Sequence, residues 1–156
     1  MDFAIFNRPG IEQCEYIPDY HFIISIRTPG DQNEVKLKIT DKTLGVLRMD
    51  FYDINEWDRS KDPHVNPGLL FNADMARQIV EFAVKQKRDR RLQLGIAHCD
   101  AGLSRSPATI AAIQRTVFNE DPSEILNAYP THNPRVYRGI LEAWDSHLLR
   151  ERLLGH

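Results

Sequence analysis

The chain has 156 residues, 42% hydrophobic and 27% charged, which fits one globular domain spanning residues 1–156. A formal net charge of -2 gives no electrostatic reason to expect nucleic acid or an acidic membrane as partner. The start MDFAIFNRPG lacks a leader's basic and long apolar regions, no apolar run approaches the about 20 residues that cross a bilayer, and only Cys14 and Cys99 are present, so a reduced, cytoplasmic chain with free thiols is expected.

In chain order, short runs rich in β-branched and aromatic residues predict strands at 3–6, 21–27, 44–51 and 92–98, and the alternating EVKLKI at 34–39 predicts an edge strand. The segment 55–70 is polar, carries two prolines and is the longest candidate surface loop. Phe71, Met75, Ile79, Phe82 and Ala83 recur at helical spacing, predicting an amphipathic helix over 71–87 capped by Asn72 or Asp74. A second helix over 106–120 opens on Ser-Pro, a good helix start. DPSEILNAY then begins with an Asp cap. The last helix, from Asn133 onward, sets Val136, Ile140, Leu141, Trp144, Leu148 and Leu149 on one side. Strands alternating with helices imply an α/β fold, a central, mostly parallel twisted sheet of four to five strands flanked by helices. Sites in such sheets lie beyond the carboxyl ends of the strands, and Cys99 sits at one such end.

The chemistry concentrates in IAHCDAGLSRSPATIAAI, residues 96–113. An apolar strand ends in His98-Cys99, a tight loop follows through Asp100, Ala101, Gly102, Leu103 and Ser104, and Arg105-Ser106-Pro107 begins a helix. Successive loop amides and a helix N-terminus form a cradle for a tetrahedral oxyanion. Gly102 permits positive φ. Arg105 can grip two phosphate oxygens bidentately, a geometry lysine cannot reproduce. The same positive field favours Cys99 as thiolate, and Ser106 can donate a hydrogen bond to it. The thiol is therefore expected to be a nucleophile aimed at bound phosphate.

HCDAGLSRS resembles the His-Cys-x5-Arg-Ser/Thr loop of the cysteine-based protein tyrosine phosphatases, and its AGxSRS form resembles the dual-specificity group. The order of elements from about residue 21 to the C-terminus is similar as well, and HNPRVYRGI resembles the segment that places an Asn before a late helix. The resemblance implies the protein tyrosine phosphatase-like fold, with Cys99 as nucleophile, Arg105 as phosphate clamp, Ser106 as thiolate partner and Asp100 to Ser104 as main-chain cradle.

A leaving oxygen departs faster when a carboxylic acid protonates it, and Asp50, Asp53 and Asp58 compete for that role. Leu47, Met49, Phe51 and Asp53 share one face at period two, which carries Asp53 past the carboxyl end of the strand while Asp50 points the other way. Asp53 is the first choice, in agreement with the family pattern, and Asp58 on the irregular loop is the alternative acid. His98 reads as a structural support that hydrogen-bonds the loop. Cys14 reads as a core or surface residue, with a redox partnership to Cys99 as the other reading. Trp57 and Tyr52 either line the substrate mouth or simply pack. The basic run KQKRDRR is a solvated helix end, since at about 3.3 Å per residue the next strand sets it about 20 Å from the thiol.

The expected activity is hydrolysis of a phosphomonoester, with phosphorylated protein or a small phosphomonoester as partner and no metal or organic cofactor. A non-catalytic phosphate-binding module is one competing reading. Another anion-cradled thiol enzyme, for sulfur transfer or arsenate reduction, is the other. Asp100 in the loop opposes highly anionic substrates through like-charge repulsion.

Overall fold

The structure, a computed structural model, describes residues 1–54 and 64–155. In chain order the elements are β1 (Asp2–Asn7), α1 (Arg8–Gln13), β2 (His21–Arg27), β3 (Thr43–Asp50), α2 (Ala73–Lys87), β4 (Leu94–Cys99), α3 (Arg105–Arg115), α4 (Ser123–Ala128) and α5 (Pro134–Leu153), with a short 3-10 turn at Pro67–Leu69. The strands form one four-stranded sheet in the order β1-β4-β2-β3, every pair parallel. This is the α/β architecture expected from the sequence.

Period-two alternation divides the sheet into two faces. Phe22, Ile24, Ile26, Ala97 and Cys99 join the larger core, which is completed by α2, α3 and α5. Ile23 and Ile96 point the other way, into a smaller cluster with Ile11 of α1 and Val35. β2 is covered on both sides, and its first six residues are buried. The helices close over the sheet through their apolar stripes: α2 buries Ala76, Ile79, Val80 and Ala83, capped by the Asn72 carboxamide, which accepts from Met75 N at 2.9 Å. α3 is buried from Arg105 through Ile113.

Three expectations need correction. EVKLKI forms no strand. Its alternation is real, because Val35 is buried and Leu37 half-buried, but the backbone is tied to side chains: Lys36 N donates to Glu12 Oε2 and Val35 O accepts from Arg48. An alternating pattern reports a one-sided surface, and a ladder is only one way to provide it. α3 ends at Arg115, short of residue 120. α5 buries only Val136 and Ile140, and Leu148 and Leu149 are exposed, because the helix outruns α2 and α3, on which it packs. The helix α1 was not visible in the sequence. Six residues with an internal Pro-Gly carry too little periodicity to register, although the Asn7 side chain caps it by accepting from Gly10 N.

A tight point of the sheet is Gly95 in β4, in register with Phe3 of β1 and Phe22 of β2. A Cβ there would lie 2.6 Å from Phe22 Cζ and 3.0 Å from Phe3 Cδ1. Both rings are fixed by Phe118, edge-on to Phe3 at 5.4 Å and stacked with Phe22 at 6.3 Å. Gly95→Ala should therefore destabilise the fold by about 1–3 kcal/mol through overpacking. Chemical denaturation should show a lower midpoint with an unchanged slope; an unaltered midpoint would mean that the aromatic cluster yields freely.

Candidate active site

The carboxyl ends of β2, β3 and β4 lie side by side, which the parallel register requires: Arg27 pairs with Asp50, and Ser25 with His98. The chain leaves β4 at Cys99 and enters α3 at Arg105 through a loop supported from outside. Asp100 O accepts from Arg8 N, Leu103 O from the Thr131 hydroxyl, and Ser104 O from Asn133 N. In a planar trans peptide the carbonyl and the following N–H point in opposite directions. Carbonyls turned outward at 100, 103 and 104 therefore turn the amides of Ala101, Ser104 and Arg105 inward.

Gly102 makes this curvature possible. Its φ is +71°, and a Cβ would lie 2.9 Å from Asn7 N and 3.0 Å from Phe6 O. The loop therefore lies directly on the β1–α1 junction, a support that the sequence did not reveal. Leu103, the loop's one bulky apolar residue, is exposed at its rim.

Cys99 is buried, with its Sγ facing two polar groups: Gly102 N donates to it at 3.3 Å, and the Ser106 hydroxyl lies 3.1 Å away. Cys14 and Cys99 are both free. α3 begins beside this sulfur, and its N-cap residue Ser104 makes no side-chain cap bond. The Ser104 hydroxyl donates instead to Asp53 Oδ1 at 2.7 Å, so its oxygen does not fill the helix start. Arg105 is 4% exposed. Its Nη1 donates to Phe51 O at 2.7 Å, and its Nη2 reaches Thr28 Oγ1 and Asp100 Oδ2, each at 3.2 Å. Its Nε is buried without a hydrogen-bond partner among the described residues. An unanswered N–H on a buried cation is costly, and an oxyanion in the cradle would answer it.

The sequence-chosen carboxylates separate cleanly. Asp50 is taken up by Arg27, which donates from Nε at 3.1 Å and Nη2 at 2.8 Å. Asp53 hangs at the rim of the cradle, held by Ser104 and by Asn133 Nδ2 at 2.9 Å. Asp58 and Trp57 lie outside the described residues. Asn133 is buried, and its carbonyl oxygen accepts from Arg135 N and Val136 N, which leaves its NH₂ to face Asp53. One side chain thus caps α5 and positions the carboxylate. The late Asn was legible in the sequence, but its link to Asp53 was not.

His98 is fully buried on the opposite face of β4 from Cys99, with Nε2 2.6 Å from Ser25 Oγ, its register neighbour. The basic run ends α2 at the far end of the sheet, with Arg91 bound to Asp89 and Lys87 donating to Val117 O.

No family model matches the chain, and no curated protein sequence matches it. Among solved structures it is similar to a crystal structure of PTPMT1 in complex with PI(5)P, at 17% identity and a TM-score of 0.51, covering 83% of this chain and 80% of that one. The chain has the fold of the cysteine-based protein tyrosine phosphatases. A second PTPMT1 crystal structure is similar at 18% identity, with a TM-score of 0.48, over 86% of this chain and 81% of that one. In this phosphatase fold the strand-loop-helix turn of β4 and α3 holds the thiol and the arginine together.

Burial pushes the His98 pKa below the ordinary 6.5, and it is the largest cause. The unfolded chain therefore gains a proton that the folded chain refuses. The neutral imidazole's contribution is complete above about pH 6.5 and is lost as pH falls below it toward the folded value. The denaturation midpoint should drop between pH 7 and pH 5.5 more steeply in the wild type than in His98→Gln. Parallel curves would assign the titration elsewhere.

Proposed function

We propose that the chain is a phosphomonoester hydrolase working through a phosphocysteine intermediate. The observation that carries this is the buried Arg105 guanidinium with an unanswered Nε–H in the loop that holds the Cys99 sulfur. The Cys99 thiolate attacks phosphorus, forming an S–P bond as the P–O bond to the leaving group breaks. Arg105 and the inward amides hold the equatorial oxygens, where charge gathers. Asp53 delivers the proton to the departing oxygen. In the second half the same carboxylate takes a proton from water, which attacks phosphorus and releases Cys99, and the Ser106 hydroxyl stabilises the returning thiolate. The cradle supplies its own positive charge, so the reaction requires no metal.

Phosphotyrosine-type protein substrates, with dual specificity, are the first choice. The exposed Leu103 at the rim offers an apolar contact to an aryl leaving group. Small phosphomonoesters are the second, supported by the PI(5)P bound to PTPMT1. The Asp100 carboxylate weighs against head groups carrying several phosphates. A panel of a phosphotyrosine peptide, a phosphoserine peptide, PI(5)P and an activated aryl phosphate separates these readings. Cys99→Ser should abolish turnover on all of them while retaining tungstate binding. Wild-type turnover abolished by chelator and restored by a divalent metal would sink the mechanism. Tungstate binding without any turnover would leave a phosphate-binding module.

Asp53→Asn tests the acid. It should lower kcat on phosphotyrosine by about 10²- to 10⁴-fold with little change in binding, and spare the activated aryl phosphate, whose leaving group needs no proton. Asp58→Asn is the control, and a leaving-group-dependent loss there alone would move the acid to that residue.

A further inference from the structure

Asp100 has a side-chain role separate from its place in the main-chain cradle. Its Oδ2 accepts from the Thr28 hydroxyl at 2.6 Å, and both oxygens lie 3.2 Å from Arg105 Nη2. A triangle with two sides of 3.2 Å and a base of 2.6 Å has an apex angle of about 48°. The two hydrogens of a planar guanidinium nitrogen diverge by about 120°. The two acceptors are thus close enough together to share one Nη2 hydrogen as a bifurcated pair. When the shared hydrogen is the one on the Nη1 side, the other Nη2 hydrogen stands beside the Nε–H, which has no partner among the described residues. These two parallel N–H groups make up the edge that grips two oxygens of a tetrahedral anion. On the other flank, Nη1 is fixed by Phe51 O at 2.7 Å.

We propose that Asp100, bridged by Thr28, is the positioning residue for Arg105, fixing the guanidinium with its Nε/Nη2 edge toward the cradle before any substrate arrives. The inference rests on the reading of the cradle as a phosphate site. An arginine side chain carries many rotamers, and ordering it in advance removes that entropy cost from the binding step. Three strand ends cooperate: Thr28 follows β2, Phe51 follows β3 and Asp100 follows β4. The carboxylate also balances a cation that is almost entirely removed from water.

The sign of one substitution separates this role from simple electrostatics. If the carboxylate acted only through its charge, its removal would relieve repulsion and tighten oxyanion binding. Positioning requires the opposite. Tungstate is the probe, measured by calorimetry on the full chain. Asp100→Ala should weaken tungstate binding about tenfold, and Asp100→Asn, which keeps an oxygen acceptor, should recover most of that loss. Thr28→Val, outside the loop, should weaken binding by a similar factor, and the double substitution should lose no more than the larger single one, because both act through the same nitrogen. Alkylation of Cys99 by iodoacetamide, a neutral reagent with no use for the clamp, should stay within about twofold of wild type in Thr28→Val, which leaves the charges around the thiol unchanged. Unchanged or tighter tungstate binding in Asp100→Ala, additive losses in the double variant, or no tungstate binding by the wild type would each overturn the proposal. Coupled losses in a chain without turnover would uphold the positioning role while removing the hydrolase reading. Turnover without coupling would do the reverse.

Discussion

Arg105 is permanently charged and almost wholly withdrawn from water, so the protein must supply nearly all of its solvation. The rest of the active end follows from that constraint. A carbonyl after β3, a hydroxyl after β2 and a carboxylate after β4 converge on one planar group, and only strands running the same way in matched register present their ends together. The solvation remains incomplete at Nε, which has no hydrogen-bond partner among the described residues, and on the proposed reading an oxyanion completes it. A site of the proposed kind is a gap left in the hydrogen-bond shell of a buried cation.

The rim depends on a second junction. Asn133 joins three parts that are far apart in sequence: its main-chain amide holds the loop at Ser104, its carboxamide oxygen caps α5, and its NH₂ holds Asp53. Because Asp53 Oδ1 also accepts from Ser104, the cap of α3 is directed outward and the helix start stays unfilled. On the proposed reading, placing the carboxylate and keeping the anion site open are one arrangement.

The sheet, its helices and the thiol–arginine loop were legible because each is encoded locally: period-two and helical spacing for the elements, and a contiguous nine-residue stretch for the loop. Asp53 was legible by strand periodicity alone, since counting by twos from Leu47 reaches it. Thr28 and Ser25 were not legible. Their significance arises from β4 lying beside β2, and strand order is a property of the whole chain. Asp100 was read for its charge near an anion, whereas its geometry ties that charge to Arg105. The segment 34–39 misled because burial of every second residue is the same for a strand and for an extended chain pinned by side chains.

The pairing of β1 with β4 brings Asn7 into register with Cys99. This edge strand finds its partner only after most of the chain is in place, so its docking carries a large loop-closure entropy and raises the contact order of the fold. During synthesis residues 2–7 are made long before β4 and wait for their neighbour. The backbone that Gly102 rests on belongs to that late-docking segment. The Cys99–Arg105 loop thus takes its shape only when a strand made long before it docks on β4, so its curvature is set by a long-range pairing as well as by its own residues.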